Sequence, residues 1–180
     1  FVDVTDRFVD IVQEGYDIAV RSHFAPLPPS GLVQRPVSVE PFILVAAPSY
    51  LAGRDPIETP TELAAHRGLV SDRSARTWRL FGPEGRRIDV APIPVMVANE
   101  STVLAGAAEA GLGIAVLPAS FCRARLRAGS LVRVLPAWDA GRVTTTLLMP
   151  HRRGQLPAVR ATAEFLITAL ADEGDAGPTR

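Results

Sequence analysis

The chain has 180 residues, 47% of them hydrophobic, and its nineteen basic residues balance nineteen acidic ones. That length buries a real core in one or two compact units, while zero net charge supplies no overall field toward nucleic acid or an anionic membrane. No run approaches the ~18 apolar residues of a membrane span, no signal-peptide pattern opens the chain, and the single cysteine, Cys122, excludes an internal disulfide.

In chain order, Asp6 stands where it can cap a short helix carrying Phe8, Val9 and Val12. Gly15 closes that helix, and Ile18, Ala19 and Val20 form a strand with Arg21 and Ser22 at its far end. Residues 24–36 are rich in proline and read as a loop; residues 37–46 alternate and then run apolar through Phe42, Ile43, Leu44 and Val45, a crossover strand. Thr59, Pro60 and Glu62 occupy cap, first and third helical positions, a capping box for a short helix ending near His66. Gly82, Pro83, Glu84 and Gly85 form a turn between strands at 77–81 and 86–90, and residues 92–97 give a further strand.

Residues 99–118 are the most informative stretch. Asn99 can accept hydrogen bonds from the first free N–H groups of a helix starting near Glu100, with Val103, Leu104, Ala107 and Ala108 on its buried face. Gly111 stands where the chain turns left-handed to leave the helix, and Ile114, Ala115, Val116 and Leu117 form a buried strand that Pro118 stops. Asn99, Ser101 and Thr102, with the free N–H groups beside them, either bind an anionic or polar ligand or only cap the helix. Gly111, Leu112 and Gly113 close a helix and open a strand, the reverse of a dinucleotide fingerprint. Beyond them lie a short helix at 121–128 stopped by Gly129 and strands at 131–135 and 144–149. A last helix, 157–170, carries Val159, Ala163, Leu166, Ile167 and Leu170 on one side, and 171–180 reads as a frayed tail. Repeated helix-glycine-strand units imply an α/β sheet with helices on its faces.

Five segments together resemble one family. Val9-Asp10-Ile11-Val12-Gln13-Glu14-Gly15-Tyr16-Asp17-Ile18-Ala19-Val20-Arg21 is similar to a signature of the effector-binding domains of LysR-type transcriptional regulators. Val45-Ala46-Ala47-Pro48-Ser49-Tyr50-Leu51, Pro60-Thr61-Glu62-Leu63-Ala64-Ala65-His66, Ala108-Glu109-Ala110-Gly111-Leu112-Gly113-Ile114-Ala115-Val116-Leu117-Pro118 and Gly129-Ser130-Leu131-Val132-Arg133-Val134-Leu135 follow in the family's order.

The resemblance implies two Rossmann-like α/β subdomains joined by two crossovers, like a type 2 periplasmic binding protein: 1–40 with 137–170, and 41–136, followed by the tail. It implies that residues 1–4 are the second strand of an effector domain whose first strand and helix, with the winged helix-turn-helix that binds DNA, are not in this chain. Further implications are a cytoplasmic homodimer or homotetramer, a small effector in the inter-subdomain cleft, no cofactor and no membrane contact. Carried over position by position, Arg21 and Ser22 face that cleft from one subdomain and Asn99 and Ser101, with Thr102, from the other. Arg21 then fixes a carboxylate or similar anion, while Ser22, Asn99 and Ser101 hydrogen-bond its polar atoms. Alternatively, Arg21 pairs with Asp17 or Glu100 and the cleft takes nothing anionic.

Catalytic and metal readings find little. His23, His66 and His151 have no ligand spacing, no Gly-x-Ser-x-Gly elbow occurs, and a helical Cys122 is expected to be inert. The arginines at 123, 125, 127 and 133 read as a solvated face beside Glu109. Trp78 and Trp138 are expected in the core or at its edge. Two other classes stand beside the regulator: an extracytoplasmic solute-binding protein of related fold, and an enzyme of unstated chemistry.

Overall fold

A strand that is apolar on both faces must be covered on both faces, and this rule organises most of the chain. The computed structural model describes residues 1–5, 9–72, 76–150 and 156–175, with side chains described as far as residue 171 in the last segment. The elements are β1 (Ala19–His23), β2 (Leu32–Ala46), α1 (Pro48–Leu51), β3 (Arg67–Val70), β4 (Trp78–Phe81), β5 (Arg87–Val90), β6 (Ile93–Val97), α2 (Ser101–Glu109), β7 (Ile114–Pro118), α3 (Ala119–Ala128), β8 (Val132–Arg133), β9 (Arg142–Pro150) and α4 (Pro157–Asp175), with 3-10 turns at Pro60–Ala65 and Pro83–Gly85. They form two compact units, one of Phe1–Val39 with the residues from Thr144 onward, the other of Glu40–Val143. The chain enters the second unit within β2 and leaves it within β9.

In the second unit β2 pairs antiparallel with β7 and β8, while β3 lies parallel between β7 and β6. Alternation divides these strands between two clusters. Leu44, Ala46, Val70 and Ile114 face Tyr50, Leu63, Trp78, Leu80, Val90 and Trp138. Ile43, Val45, Leu69, Ala115 and Leu117 face Leu104, Ala105 and Ala108 of α2 and Cys122 of α3. Each fully buried leucine here contributes about 1.5–3 kcal/mol relative to an exposed one. β4 and β5 form a hairpin pairing Trp78 with Val90 and Phe81 with Arg87 around the expected turn. In the first unit β1 runs antiparallel to β9, and Ala163 of α4 packs on Leu147 and Met149 of β9. Leu166, Ile167 and Leu170 complete that contact along the face expected from their spacing.

Several expectations change. No strand precedes Ala19 among the described residues, and Phe1, Val2 and Val4 are exposed, so residues 1–4 do not form the expected strand; a strand needs a partner, and none pairs there. Asp6 and Phe8 lie outside the described residues. In place of the expected helix the chain makes a turn in which the Asp10 carboxylate accepts the Val12 and Gln13 N–H groups at 3.1 and 3.0 Å, and Gly15 closes it at φ 76°. β2 begins at Leu32 and takes in Arg35 and Pro36, so the loop is shorter than its prolines suggested. β8 covers only two residues of the expected strand at 131–135. α4 continues to Asp175, past the expected end at Leu170. On α2, Val103 is exposed and Ala105 buried, because the helix meets the sheet through Leu104, Ala105 and Ala108.

Gly113 shows how tightly α2 is joined to the sheet. A Cβ there would stand 2.6 Å from the Arg67 carbonyl oxygen, a backbone atom that cannot move aside cheaply. Gly113→Ala is expected to destabilise the chain by about 1–3 kcal/mol. Gly106→Ala on the exposed side of α2, where nothing lies within 4 Å, should stabilise it by about 0.4–1 kcal/mol. Thermal melts of the two variants measure both.

Candidate functional site

The polar start of α2 is built by the strands before it. β3 and β6 run parallel and end at Val70 and Val97, where the Ala98 N–H donates to the Val70 carbonyl at 3.1 Å. The chain then turns into α2 at the carboxyl ends of parallel strands, where α/β sheets hold ligands. The N-cap is Glu100, with φ −98° and ψ 120°, and its side chain makes no capping bond. Asn99, expected at the cap, therefore stands one residue outside it. The first intrahelical bonds run from the Val103 and Leu104 N–H groups to the Glu100 carbonyl, both at 3.1 Å. The N–H groups of Ser101 and Thr102 precede them and point out of the helix end. Ser101 is half-buried and Thr102 exposed.

α3 provides the contrast. Its N-cap, Pro118, carries no polar group, yet its end is filled: Glu40 accepts the Ser120 N–H at 2.7 Å and the Ser120 hydroxyl at 3.0 Å. Of the two long helices in this unit, α3 has its positive end bonded to the Glu40 carboxylate, whereas the Glu100 side chain at the cap of α2 makes no capping bond. A cavity of about 370 Å³ lies in the same unit, lined by Val70, Arg76, Pro94, Val95, Met96 and Val97. None of the expected ligand-binding residues lines it.

Arg21 and Ser22 belong to the first unit and lie inside β1, not beyond its end. This corrects the strand-end argument for them, since β1 pairs antiparallel and the rule concerns parallel strands. They stand opposite Thr146 and Thr145, and the Ser22 and Thr145 hydroxyls are 3.1 Å apart. His23, which sequence reasoning left without a role, joins this polar ladder. Its Nδ1 donates to the Ala25 carbonyl at 2.7 Å, and its Nε2 is hydrogen-bonded to the buried Thr146 hydroxyl at 2.9 Å. The only sequence signal was the run Thr144, Thr145, Thr146 in a strand otherwise apolar.

The remaining candidates are structural. Trp78 and Trp138 are in the core. Cys122 is fully buried and burial pushes its thiol up to about 12, the wrong direction for a nucleophile. Among the described residues no group of three or more His, Cys, Asp or Glu is placed to hold a metal ion, and no helix is long and apolar enough to cross a membrane. Arg125 pairs with Glu109 at 2.9 Å, but of the four arginines expected on a solvated face only Arg127 is exposed, while Arg123, Arg125 and Arg133 are half-buried. His66 ends the 3-10 turn that the capping box begins, with Glu62 accepting the Glu58 and Thr59 N–H groups at 2.8 and 3.2 Å. The Tyr50 hydroxyl accepts the Arg67 N–H at 2.9 Å and shares a hydrogen bond with His66 Nδ1 at 3.2 Å.

Comparison with known proteins follows the same architecture. A family model described as the LysR substrate binding domain matches residues 1–171, and the chain belongs to that family. It is 30% identical over 169 residues to the HTH-type transcriptional regulator PtxR of Pseudomonas aeruginosa, covering 93% of this chain and 54% of that protein. It is 29% identical over 153 residues to an HTH-type transcriptional regulator of Haemophilus influenzae, covering 84% of this chain and 52% of that protein. The full-length structure of the Vibrio cholerae virulence activator AphB superposes with a TM-score of 0.80 at 27% identity, over 93% of this chain and 56% of that one. The fold is thus the periplasmic-binding-protein-like α/β fold of LysR regulatory domains. The chain spans about half the length of the curated relatives it matches.

His66 gives this region a pH signature. Burial, then the Arg54 guanidinium, hold its pKa below the usual 6.5. The folded state therefore binds its proton less readily than the unfolded one, so the contribution to stability is complete above pH 6.5 and is lost as pH falls through the lowered value. Thermal melts between pH 7.5 and 5 should show a steeper acid loss in the wild type than in His66→Gln.

Proposed function

We propose that the chain is the effector-sensing part of a LysR-type transcriptional regulator, in which a small anionic or polar molecule binds and controls transcription. The observation that carries this reading is the start of α2 at the carboxyl ends of β3 and β6, where the cap residue Glu100 makes no side-chain capping bond. Ser101 and Thr102 offer backbone N–H groups and hydroxyls to an anion, and Asn99 a further amide just before the cap. Arg21 offers a bidentate cation and Ser22 a hydroxyl from the first unit. Family membership and relatives that are HTH-type regulators support this reading over an extracytoplasmic solute-binding protein or an enzyme. In this reading DNA is contacted through a helix-turn-helix region of the kind those relatives are named for, and the regulator works as a cytoplasmic homodimer or homotetramer. Effector binding changes the equilibrium between conformations of that assembly, by no more than its difference in affinity for them.

Calorimetric titration of small carboxylic acids tests the residues. An acid that binds the wild type should lose about 1.5–3 kcal/mol, tenfold or more in affinity, in Arg21→Ala and in the Ser101→Ala, Thr102→Ala double variant. Equal affinity in Arg21→Ala and wild type would remove Arg21 from the site.

A further inference from the structure

Eighty residues separate Glu40 from Ser120, yet their contact is among the best-formed polar interactions in the second unit. Both carboxylate oxygens are used, one on the second backbone N–H of α3 and one on the hydroxyl of the same residue. Charge and helix dipole reinforce each other there. Glu40 is also the first residue of the second unit on β2. Two residues further on, the Phe42 N–H donates to the Gly141 carbonyl and the Phe42 carbonyl accepts the Ala140 N–H, each at 2.8 Å. The outgoing strand is therefore fixed to the segment just before β9 and to the head of α3 within three residues of its entry into the unit.

The far part of α3 is held in the same way. Arg125 Nε donates to Glu109 Oε2 at 2.9 Å, and the Ser130 hydroxyl donates to Glu109 Oε1 at 2.6 Å. Arg125 is tied back to its own helix by a 2.9 Å bond from Nη1 to the Phe121 carbonyl. Glu109 is the last residue of α2. The Ser130 and Arg125 bonds hold its carboxyl below the usual carboxylate range, so it remains an acceptor for both. Between the two carboxylates, Cys122 and Leu126 of α3 pack in one apolar cluster with Leu104, Ala105 and Ala108 of α2.

We propose that Glu40 is a positioning residue that couples the crossover strand β2 to the effector-facing helix α2, through Ser120, α3 and the Arg125–Glu109–Ser130 contact. The proposal rests on the reading of the α2 start as the effector end. The relay consists of discrete contacts that are made or broken, joined by a ten-residue helix, the kind of element through which two sites bias one equilibrium. A cap serving α3 alone would leave α2 indifferent to Glu40.

Amide hydrogen exchange on the chain without ligand separates the two. In Glu40→Gln, exchange at Ser120 and Phe121 should rise about tenfold and exchange at Val103 and Leu104 of α2 about threefold, with the β4–β5 hairpin unchanged. In a Glu109→Gln background, Glu40→Gln should still accelerate α3 but add nothing at α2. Unchanged α2 exchange in Glu40→Gln overturns the coupling, as does an undiminished α2 response when Glu109 is already replaced. Ser120→Ala, which removes only the hydroxyl contact, carries the same comparison if Glu40→Gln does not fold. Because no ligand is present, a failed acid titration and a failed exchange result are distinguishable.

Discussion

Burial of β2 on both faces is the constraint from which the second unit follows. Ile43, Leu44, Val45 and Ala46 expose no more than 2% of their surface, and their alternating side chains need an apolar layer above and below. α2 and α3 supply one layer, through Leu104, Ala105, Ala108 and Cys122. Tyr50, Leu63, Trp78, Leu80 and Trp138 supply the other. The close approach of Gly113 to the Arg67 carbonyl is a consequence, because β7 must enter the sheet beside β3 directly after α2 ends.

The same constraint generates the candidate site. A helix that covers a parallel sheet starts at the carboxyl end of the strand before it, so α2 presents its N-terminus beside the ends of β3 and β6. α3 follows β7, which is parallel to β3 and antiparallel to β2, and its start is closed by Glu40. Two helices with similar N-terminal potential thus differ in their caps, the start of α3 being bonded to Glu40 and the Glu100 side chain at the start of α2 making no capping bond. The ladder of Ser22, His23, Thr145 and Thr146 is a second polar feature, made by antiparallel pairing in the first unit. Arg21 lies in the same strand, opposite Thr146.

Local chemistry was legible in the residues themselves. Thr59 and Glu62 announce their turn through short-range hydrogen bonds, Gly111 and Gly129 adopt the left-handed exits their positions imply, and the residues from Gly82 to Gly85 can only turn the chain between two strands. What depends on distant partners was not. The entry of β2 at Leu32, across Pro36, is decided by the sheet it joins, and Arg21 and Ser22 are drawn into β1 by pairing with β9. Asn99 differs from Glu100 as a cap by one residue, within the uncertainty of any helix end. Glu40 was invisible as a cap because its helix lies eighty positions away. Ser101 and Thr102 were legible as a helix start, but their placement at the end of a parallel strand pair required the fold.

The role proposed for the start of α2 is to receive a small anionic or polar effector. Recording amide chemical shifts of the 15N-labelled chain against a library of small carboxylic acids tests it most directly. A binding acid is expected to shift the Ser101 and Thr102 amides first and furthest. Shifts confined to the cavity residues Val95, Met96 and Val97, with the α2 start unmoved, would contradict it.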